Sequence, residues 1–455
     1  MTRYLVAGVG IAGAASARVL AGHGHRVVVY NQDDNEALAA LKPDVSGVVC
    51  GDRVDPRLWD EIDELVVSPG FPPHHWLVRD AESAGIEVYS EPELAWRLRP
   101  SGSADWLAVT GTNGKTTTVT MLAAILSAAG LRTAALGNIG VPLVDAVFGD
   151  YDVLAVELSS QQLHWSDRLA PRTGALLNLA DDHLSWHGGF DAYADAKTAV
   201  WRGGRCVGNA DDPRVAARLA AAPGAHIEFT LERPGPGRFG VADGQLVDNT
   251  GAEPVALCPV DLIRPPGRHN VANALAAAAV ARDYGVPPEA VRDGLAGYVP
   301  EPHRNVEIAE VAGVRYVDDS KGTNPHATAA ALGGHDRIIW IAGGQLKGVD
   351  VNALVADAAD RLRGAVLLGT DRAVLADALA AHAPDVPVEL FDRTDPDVMS
   401  DVVAAAARMA EPGDVVLLSP AAASYDMFTG YPDRGRRFAD AVSRLPGATE
   451  VAVAP

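Results

Sequence analysis

Residues 109–117 read Val-Thr-Gly-Thr-Asn-Gly-Lys-Thr-Thr, and the stretches on both sides restrict how the chain can fold around them. An apolar run at 106–109 precedes the glycines, and a helix-like stretch at 117–129 follows them. This strand–loop–helix order is typical of a phosphate-binding loop, in which glycines let backbone N–H groups turn toward phosphate oxygens. Lys115 would then reach the β- and γ-phosphates, and the Thr116 hydroxyl would contact Mg²⁺. A glycine turn without a ligand is the ordinary alternative, but Gly-Lys-Thr in this setting favours ATP.

The size and composition of the chain indicate a globular protein of several domains. Its 455 residues exceed what one hydrophobic core usually serves, and 48% of them are hydrophobic while 21% are charged. A net charge of −21 disfavours nucleic acid and anionic membranes as partners. The apolar runs are shorter than the roughly 20 residues of a membrane span, so we expect none. Three widely spaced cysteines favour the reducing cytoplasm over disulfides or a cysteine metal site.

Strand-like and helix-like runs alternate along the chain, a pattern typical of parallel α/β sheets. We predict an α/β protein of three domains. They are an N-terminal Rossmann-like domain at 1–100, a central P-loop ATPase-like domain with a mostly parallel sheet at 104–299, and a C-terminal Rossmann-like doubly wound domain at 300–455. The stretch Arg-Pro-Ser-Gly-Ser at 99–103 has the composition of a linker.

A second glycine-rich turn, at 8–13, follows the first strand and opens a helix, as in dinucleotide-binding folds. Binding of NAD would call for an acid at the end of the second strand. That strand ends with Asn31 and Gln32, and the first acid is Asp33. The turn therefore predicts a diphosphate site for a nucleotide other than NAD.

Three predicted strands of the central domain end in polar groups. They end in the phosphate loop, in Glu157 after the run 153–156, and in Asp-Asp-His at 181–183 after the run 175–179. Carboxyl ends of parallel strands share one edge, where ligands bind. Glu157 occupies the place of a Walker-B acid and would share Mg²⁺ with Thr116. One such acid alone could equally cap a helix, but three ends on one edge favour a site.

Lys197 falls within an apolar stripe. A helix between Phe190 and Trp201 would place Phe190, Tyr193, Lys197 and Trp201 on one face. An unpaired ammonium is costly there. The side chain either reaches the surface, which is the commoner outcome, or needs a partner or a modification that removes its charge. The sequence leaves both possibilities open.

Polar loops also end three predicted strands of the C-terminal domain, at 318–324, 343–348 and 419–426. Their lysines suit carboxylates or phosphates. The segment 267–275 opens a helix with asparagine amides that could bind a nucleobase. Together with the phosphate loop, these segments predict an ATP-driven site for two substrates.

Several motifs, in this order, resemble the Mur ligase family over essentially the whole chain. They are Thr-Gly-Thr-Asn-Gly-Lys-Thr at 110–116, Gly-x-His-Asn-x-x-Asn-Ala-Leu at 267–275, His303-Arg304, and Asp-Ser-Lys at 319–321. The family builds the peptidoglycan stem peptide. The length, the turn at 8–13, Ser-Pro-Gly at 68–70, and the motifs at 319–324 and 419–424 are most similar to the members that add D-glutamate to UDP-N-acetylmuramoyl-L-alanine.

The resemblance implies a reaction and its cofactors. The substrate carboxylate would attack the γ-phosphate of ATP, and the amine of D-glutamate would then attack the resulting acyl phosphate. Lys115, Glu157, His183 and Lys197 would be catalytic. The resemblance implies two Mg²⁺ ions, one on Thr116 and Glu157 and one on His183 and Lys197, with CO₂ bound to Lys197 as a carbamate. The partners would be the nucleotide sugar and D-glutamate, and the chain would be a monomer.

The resemblance also implies binding residues for each ligand. For ATP they are Gly111, Thr112, Asn113, Gly114, Lys115, Thr116, Thr117, Asn270, Arg304 and Asp319. For the nucleotide sugar they are Gly10, Ile11, Ala12, Asn31, Gln32, Gly70, Asn138 and His183. For D-glutamate they are Thr323, Lys321, Lys347, Ser424, Tyr425 and Tyr431.

Other functions fit part of the pattern. Folylpolyglutamate synthases share the phosphate loop, the modified lysine and glutamate ligation, but they normally lack a domain like the one predicted at 1–100. Another Mur ligase with a different amino-acid substrate is a second alternative. A non-catalytic nucleotide-binding regulator would not need Glu157, His183 and Lys197 together.

Overall fold

Three sheets organise the protein. The computed structural model describes residues 1–393 and 395–450. Contacts within the chain define two units, the first made of Met1–Leu262 with Val271–Gly297 and the second of Ile263–Asn270 with the chain from Tyr298 onward. Two sheets lie in the first unit and the third sheet lies in the second unit.

The N-terminal sheet has five parallel strands in the order β3-β2-β1-β4-β5. Its strands are β1 (Arg3–Ala7), β2 (Arg26–Asn31), β3 (Gly47–Cys50), β4 (Glu64–Val67) and β5 (Glu87–Ser90). Its helices are α1 (Ile11–Gly22), α2 (Glu36–Leu41), α3 (Trp76–Ser83) and α4 (Glu91–Leu98), with a 3₁₀ turn at Pro56–Glu61. This strand order is that of a Rossmann-type sheet, whose ligands bind beyond the carboxyl ends of the strands.

The central sheet has nine strands in the order β14-β13-β12-β11-β10-β9-β6-β8-β7. Its strands are β6 (Asp105–Thr110), β7 (Ala135–Gly137), β8 (Val153–Glu157), β9 (Thr173–Leu176), β10 (Arg205–Asn209), β11 (Ala225–Phe229), β12 (Arg238–Ala242), β13 (Gln245–Asn249) and β14 (Val255–Pro259). Only the pairs β12–β13 and β13–β14 are antiparallel. The sheet is therefore mostly parallel.

Helices follow most of these strands. They are α5 (Lys115–Ala128), α6 (Leu143–Ala146), α7 (Ser160–His164), α8 (Leu184–His187), α9 (Phe190–Thr198), α10 (Pro213–Ala221), α11 (Arg268–Tyr284) and α12 (Pro288–Ala296), with 3₁₀ turns at Ala199–Trp201 and Val260–Leu262. Local chemistry sets several helix starts. Ser159 and Gln162 form a capping box at α7, and Asp212 caps α10 just before a proline at its first position.

The third sheet has the order β19-β18-β17-β20-β16-β15-β21 and is parallel except at β15, which is antiparallel to both neighbours. Its strands are β15 (Val306–Val311), β16 (Val314–Asp318), β17 (Ile338–Gly343), β18 (Leu362–Leu368), β19 (Val388–Leu390), β20 (Val415–Leu418) and β21 (Thr449–Glu450). Its helices are α13 (Pro325–Leu332), α14 (Asn352–Ala358), α15 (Arg372–His382), α16 (Met399–Met409) and α17 (Tyr431–Ser443), with 3₁₀ turns at Ala359–Arg361 and Pro396–Val398.

Apolar packing joins the first two sheets. One buried cluster contains Leu20 and Leu94 of the N-terminal region together with Trp106 and Leu143 of the central region. A second cluster covers the other face of the N-terminal sheet and includes Trp165, which follows α7. The two faces of the third sheet each carry a separate buried cluster. Burial on both faces is the arrangement expected of parallel sheets.

The predicted α/β class with three sheet regions is confirmed, while individual runs differ from their predicted bounds. The helix after the phosphate loop begins at Lys115 rather than at residue 117. The run predicted as a strand at 175–179 is a strand only as far as Leu176. Just beyond this strand, the backbone carbonyl of Asn178 accepts the backbone N–H of Thr112 at 3.0 Å and so supports the phosphate loop. None of the helices in the described part of the chain is both long and apolar enough to cross a membrane.

Candidate active site

The phosphate loop connects β6 to α5 at the carboxyl edge of the central sheet. Gly114 has φ +82, and a Cβ there would lie 2.3 Å from the side-chain oxygen of Asn273, so only glycine fits. Lys115 lies against the loop itself, where its ammonium donates to the carbonyl oxygens of Gly111 at 2.9 Å and Thr112 at 2.8 Å. The loop therefore holds a cation and the start of a helix, which together suit anionic oxygens.

Two side chains outside the loop hold its shape. The Asn178 amide accepts the backbone N–H of Asn113 at 2.8 Å and donates to the Asn113 carbonyl at 3.0 Å. The Thr112 hydroxyl lies 2.7 Å from the Tyr193 hydroxyl and accepts the backbone N–H of Ala180 at 2.9 Å. The sequence analysis missed Asn178, although an asparagine soon after the end of a neighbouring strand is a signal that could have been noticed.

Glu157 ends β8, the strand beside β6, and is 1% exposed. Its carboxylate accepts the Thr116 hydroxyl at 2.6 Å and the Asn138 amide at 2.9 Å. The sheet order thus brings together three residues predicted for metal and substrate binding. A carboxylate next to a hydroxyl at a phosphate loop suits Mg²⁺, which prefers oxygen ligands and usually keeps water and substrate phosphates.

The residues predicted for a second metal ion offer fewer ligands in contact with one another than Thr116 and Glu157 do. Within residues 1–393 and 395–450, no three His, Cys, Asp or Glu side chains form a group that could hold a metal ion. His183 adopts a left-handed backbone conformation with φ 52, and its imidazole lies 3.6 Å from the Asp182 carboxylate. Any Mg²⁺ bound here would therefore depend on substrate oxygens or on a modified lysine for further ligands.

Lys197, on α9, is buried and does not reach the surface. Its side chain is 2% exposed, and its ammonium donates to the Gly111 carbonyl at 2.8 Å and lies 3.4 Å from the Thr110 hydroxyl. Burial, and then the nearby charge of Lys115, lower the pKa of the Lys197 amine well below its usual value. The structure thus selects burial from the two possibilities that the sequence left open.

Several of the residues described above border one cleft of about 340 Å³ in the first unit. The residues predicted for catalysis or ligand binding that line it are Gly70, Gly111, Thr112, Lys115, Asn138, His183 and Lys197. Gly70 follows β4 of the N-terminal sheet, so both sheets of the first unit contribute to the cleft. Ser160 and Gln161 of α7 also line it and were not predicted.

The other residues predicted for the nucleotide sugar lie at the carboxyl edge of the N-terminal sheet. Gly10 precedes α1, Ile11 and Ala12 begin it, and Ile11 is exposed. Asn31 ends β2, and its amide donates to the Asp33 carbonyl at 2.7 Å. The Gln32 amide donates to the Asp52 carboxylate at 3.2 Å. Neither amide contacts the phosphate loop.

In the second unit, the loops after β16, β17 and β20 follow three neighbouring strands. Backbone hydrogen bonds between Gln345 and Ala423, at 2.8 and 3.0 Å, join the loops after β17 and β20. The Lys321 ammonium donates to the Tyr431 hydroxyl at 3.0 Å and lies 4.2 Å from the centre of that ring. The structure thus brings together two of the residues predicted for D-glutamate.

The remaining predicted residues of these loops differ in exposure. Lys347 is exposed and has φ 56, while Thr323 donates its backbone N–H to the Lys321 carbonyl at 2.8 Å. Ser424 is buried, and Tyr425 is 71% exposed. A flexible, exposed cation such as Lys347 suits a charged ligand.

Arg434, on α17, was missed by the sequence analysis because no motif marks it. It is 1% exposed, and its guanidinium donates to the Ser320 hydroxyl at 3.0 Å, to the Ser320 carbonyl at 2.8 Å and to the Ala422 carbonyl at 3.2 Å. It also donates to the Gly343 carbonyl at 3.4 Å. Burial lowers the pKa of Arg434 to about 10. One side chain therefore ties the three loops together.

The second unit also contains the predicted nucleotide residues Asn270, Arg304 and Asp319. Asn270 is buried in the first turn of α11. Asp319 accepts the Ser419 hydroxyl at 2.6 Å, and burial raises the pKa of its carboxyl to about 7, while the charge of Arg304 acts in the opposite direction. Burial therefore favours the protonated form of the Asp319 carboxyl.

Comparisons with known proteins match nearly the whole length of the chain. Residues 2–90 match the N-terminal domain described as Mur ligase MurD-like, residues 109–281 the Mur ligase middle domain, and residues 303–422 the Mur ligase glutamate ligase domain. The UDP-N-acetylmuramoylalanine--D-glutamate ligase of Streptomyces coelicolor is 51% identical and aligns with 97% of each chain. The protein of the same name from Thermobifida fusca is 50% identical over 98% of this chain and 99% of the relative.

Solved structures share the fold at lower identity. The UDP-N-acetylmuramate-alanine ligase MurC of Thermotoga maritima has a TM-score of 0.60 at 19% identity, covering 97% of this chain and 99% of that chain. MurF of Acinetobacter baumannii has a TM-score of 0.58 at 19% identity, covering 91% of this chain and 89% of that chain. Because three successive domain profiles and relatives of about 50% identity cover nearly all of it, the chain belongs to the Mur ligase family.

Proposed function

We propose that the chain is an ATP-dependent ligase that joins D-glutamate to UDP-N-acetylmuramoyl-L-alanine in peptidoglycan precursor synthesis. The observation that carries this proposal is about 50% identity, over 97% of the chain, to proteins named UDP-N-acetylmuramoylalanine--D-glutamate ligase. The MurD-like N-terminal match supports the same acceptor. A phosphate loop and a buried lysine that line one cleft support ATP-driven chemistry, and so does the strand-end carboxylate of Glu157, which is bonded to Thr116.

Each predicted domain would bind mainly one substrate. Residues 1–100 would bind the nucleotide sugar through the turn at Gly10–Ala12, through Asn31 and Gln32, and through Gly70. Residues 104–299 would bind ATP at the phosphate loop, with Asn270 near the adenine. Residues 300–455 would bind D-glutamate, and Arg304 and Asp319 of that domain would contact ATP.

The reaction has two chemical steps. A carboxylate oxygen of the acceptor attacks the γ-phosphorus of ATP, the bond from phosphorus to the β–γ bridging oxygen breaks, and ADP leaves. The neutral amine of D-glutamate then attacks the acyl carbon, phosphate leaves, and the amine loses a proton to give the amide. Phosphoryl transfer of this kind depends mainly on positioning and on neutralising negative charge.

The central residues suit that task. Lys115, now bonded to two loop carbonyls, would exchange them for β- and γ-phosphate oxygens. Thr116 and Glu157 would hold one Mg²⁺, which neutralises phosphate charge when bound. The Asn138 amide, bonded to Glu157, would keep that carboxylate oriented and lie near the acyl end of the acceptor.

Lys197 and His183 would hold a second Mg²⁺, with Lys197 modified by CO₂. The buried, weakly basic amine supports this proposal, because a carbamate replaces a costly cation with an anionic oxygen ligand. In the second unit, Lys321, Thr323, Lys347, Ser424, Tyr425 and Tyr431 would bind D-glutamate. The lysines would pair with its carboxylates.

We further propose that the reaction takes place in the cytoplasm and that one chain suffices for it. The ATP that the phosphate loop would bind is available in the cytoplasm. The three cysteines, Cys50, Cys206 and Cys258, are free thiols, which agrees with a reducing compartment.

Phosphate release tests the proposal. Purified protein would be given ATP, Mg²⁺ and UDP-N-acetylmuramoyl-L-alanine with each of a panel of amino acids, including D- and L-glutamate. Release that requires both the acceptor and D-glutamate is the expected result, with omission of either substrate as the control. Release with L-alanine, L-lysine or diaminopimelate instead would indicate a Mur ligase of different specificity. Release with a folate in place of the nucleotide sugar would contradict the proposal.

A further inference from the structure

The short helix α8 connects the central sheet to the N-terminal sheet beside the cleft. The indole N–H of Trp186 donates to the Pro69 carbonyl at 3.1 Å. Pro69 and Gly70 follow β4 and line the cleft, and His183, directly before α8, lines it as well. Trp186 itself does not line the cleft. One hydrogen bond thus links two segments that form the cleft wall.

A second tryptophan holds the same N-terminal segment. The indole N–H of Trp165 donates to the Phe71 carbonyl at 3.2 Å. Trp165 is 7% exposed and belongs to the apolar cluster on one face of the N-terminal sheet, so it also contributes to the core. The rings of Trp165 and Trp186 lie edge to face, with centroids 6.3 Å apart. The segment 69–71 therefore accepts hydrogen bonds from two indole groups of the central region.

A hydrogen bond from the last residue of α8 joins this helix to α7. His187 lies 3.0 Å from the Ser160 hydroxyl through its Nε2 atom, and Ser160 lines the cleft. The backbone N–H groups of Trp186 and His187 donate to the His183 carbonyl at 3.0 and 3.1 Å. His183 has φ 52, a conformation that a residue with a side chain keeps only where its surroundings hold it. The hydrogen bonds from Trp186 and His187 to the His183 carbonyl contribute to that restraint.

We propose that Trp186 is a positioning residue for the nucleoside-diphosphate sugar. By holding Pro69 and Gly70 it fixes the wall of the cleft that the N-terminal sheet contributes, and it sets the position of His183. This inference rests on the proposed function, because the nucleotide sugar is the substrate assigned to that sheet. Trp186 acts through the backbone of the segment and not by contact with the reacting atoms.

Trp186→Phe tests the inference, because it keeps an aromatic ring and removes the N–H donor. We expect the KM for UDP-N-acetylmuramoyl-L-alanine to rise about three- to tenfold, the range for one lost neutral hydrogen bond. The KM for ATP and for D-glutamate should change less than about twofold. The dissociation constant of the nucleotide sugar, measured by calorimetry without ATP, should rise by the same factor as its KM.

Trp201→Phe is the matched control. The indole N–H of Trp201 donates to the Val207 carbonyl at 3.2 Å, Trp201 is 2% exposed, and it does not line the cleft. The control therefore loses the same kind of hydrogen bond from the same region and should leave nucleotide-sugar binding unchanged. Trp165→Phe should weaken nucleotide-sugar binding and also lower the Tm, since Trp165 is part of a core.

The outcomes separate this inference from the proposed function. Unchanged nucleotide-sugar affinity in Trp186→Phe would overturn the inference, and so would an equal loss in Trp201→Phe. If the wild-type protein binds the nucleotide sugar but does not add D-glutamate, the proposed function fails and the calorimetric comparison still decides the role of Trp186. If the wild-type protein does not bind the nucleotide sugar, both proposals fail.

Discussion

Replacing Lys197 with alanine is expected to reduce ligation at least about a thousandfold while ATP binding persists, as for the loss of a single electrostatic stabiliser. The surroundings of the amine are the reason. It is buried, donates to the Gly111 carbonyl at 2.8 Å and lies 3.4 Å from the Thr110 hydroxyl. Burial, and then the charge of Lys115, lower the pKa of the Lys197 amine well below its usual value.

This lowered pKa favours a carbamate. Only the neutral amine attacks CO₂. In that step the N–C bond forms, one C=O π bond breaks and its electron pair moves onto the oxygen, and the nitrogen loses a proton to solvent. A lysine with the usual pKa of about 10.4 has roughly one neutral amine in a thousand at pH 7.4. Each unit by which burial lowers the pKa raises that share about tenfold, so Lys197 should react with CO₂ far more readily than a surface lysine.

Lys197→Met separates loss of the nitrogen from loss of volume. Alanine leaves a cavity and should lower the free energy of unfolding by about 2–4 kcal/mol, whereas methionine fills most of the space and should cost about 1 kcal/mol. The Gly111 carbonyl keeps Lys115 as a donor at 2.9 Å in both variants, so neither leaves it unpaired. Both variants should lose ligation. Short carboxylic acids should restore part of the activity only in Lys197→Ala, where space is open.

Three measurements check this reasoning. Phosphate release gives turnover, a fluorescent ATP analogue gives nucleotide affinity, and ¹³C NMR of protein equilibrated with ¹³C-bicarbonate detects the carbamate carbon. Near-normal turnover in either variant would refute the role of Lys197. A fully active wild-type protein without a carbamate signal would refute the modification.

Three further predictions concern the phosphate loop, the amino-acid site and pH. Lys115→Ala should reduce turnover at least about a thousandfold with an unchanged Tm, and near-normal phosphate release would contradict the ATP site. Lys347→Ala and Thr323→Ala should raise the KM for D-glutamate far more than the KM for ATP, because a carboxylate of D-glutamate loses its partner. Steady-state kinetics with each substrate varied in turn will test this prediction. Burial raises the pKa of Glu91 from 4.5 to about 7. The stability that the protonated Glu91 side chain contributes is therefore fully present below pH 4.5 and is lost as the pH rises through 7. Glu91→Gln keeps an acceptor for the Val144 N–H. It should raise the free energy of unfolding by about 1–3 kcal/mol at pH 8 and change it little at pH 4. An equal effect at both pH values would count against this linkage.

Local features of the chain carried much of the prediction. The glycines and Lys115 of the phosphate loop act through backbone conformation and through the start of α5, which are properties of adjacent residues. Alternating strand-like and helix-like runs indicated parallel sheets, and the carboxyl ends of such sheets are known binding edges, so Glu157 could be placed beside Thr116. The motifs along the chain added the family, which relatives that cover nearly the whole chain confirm.

Tertiary structure decided what no local pattern contains. The helical stripe around Lys197 permitted both burial and surface exposure, and only the packing of α9 against the phosphate loop selected burial. Three hydrogen bonds join residues that are far apart in the sequence. Asn178 bonds to Asn113 over a separation of 65 residues, Arg434 to Ser320 over 114 residues, and Trp186 to Pro69 over 117 residues. Such contacts form because the path of the whole chain brings distant groups within hydrogen-bond distance, and a buried donor without a partner is costly. Their energies depend on position in space, which neighbouring residues in the sequence do not encode.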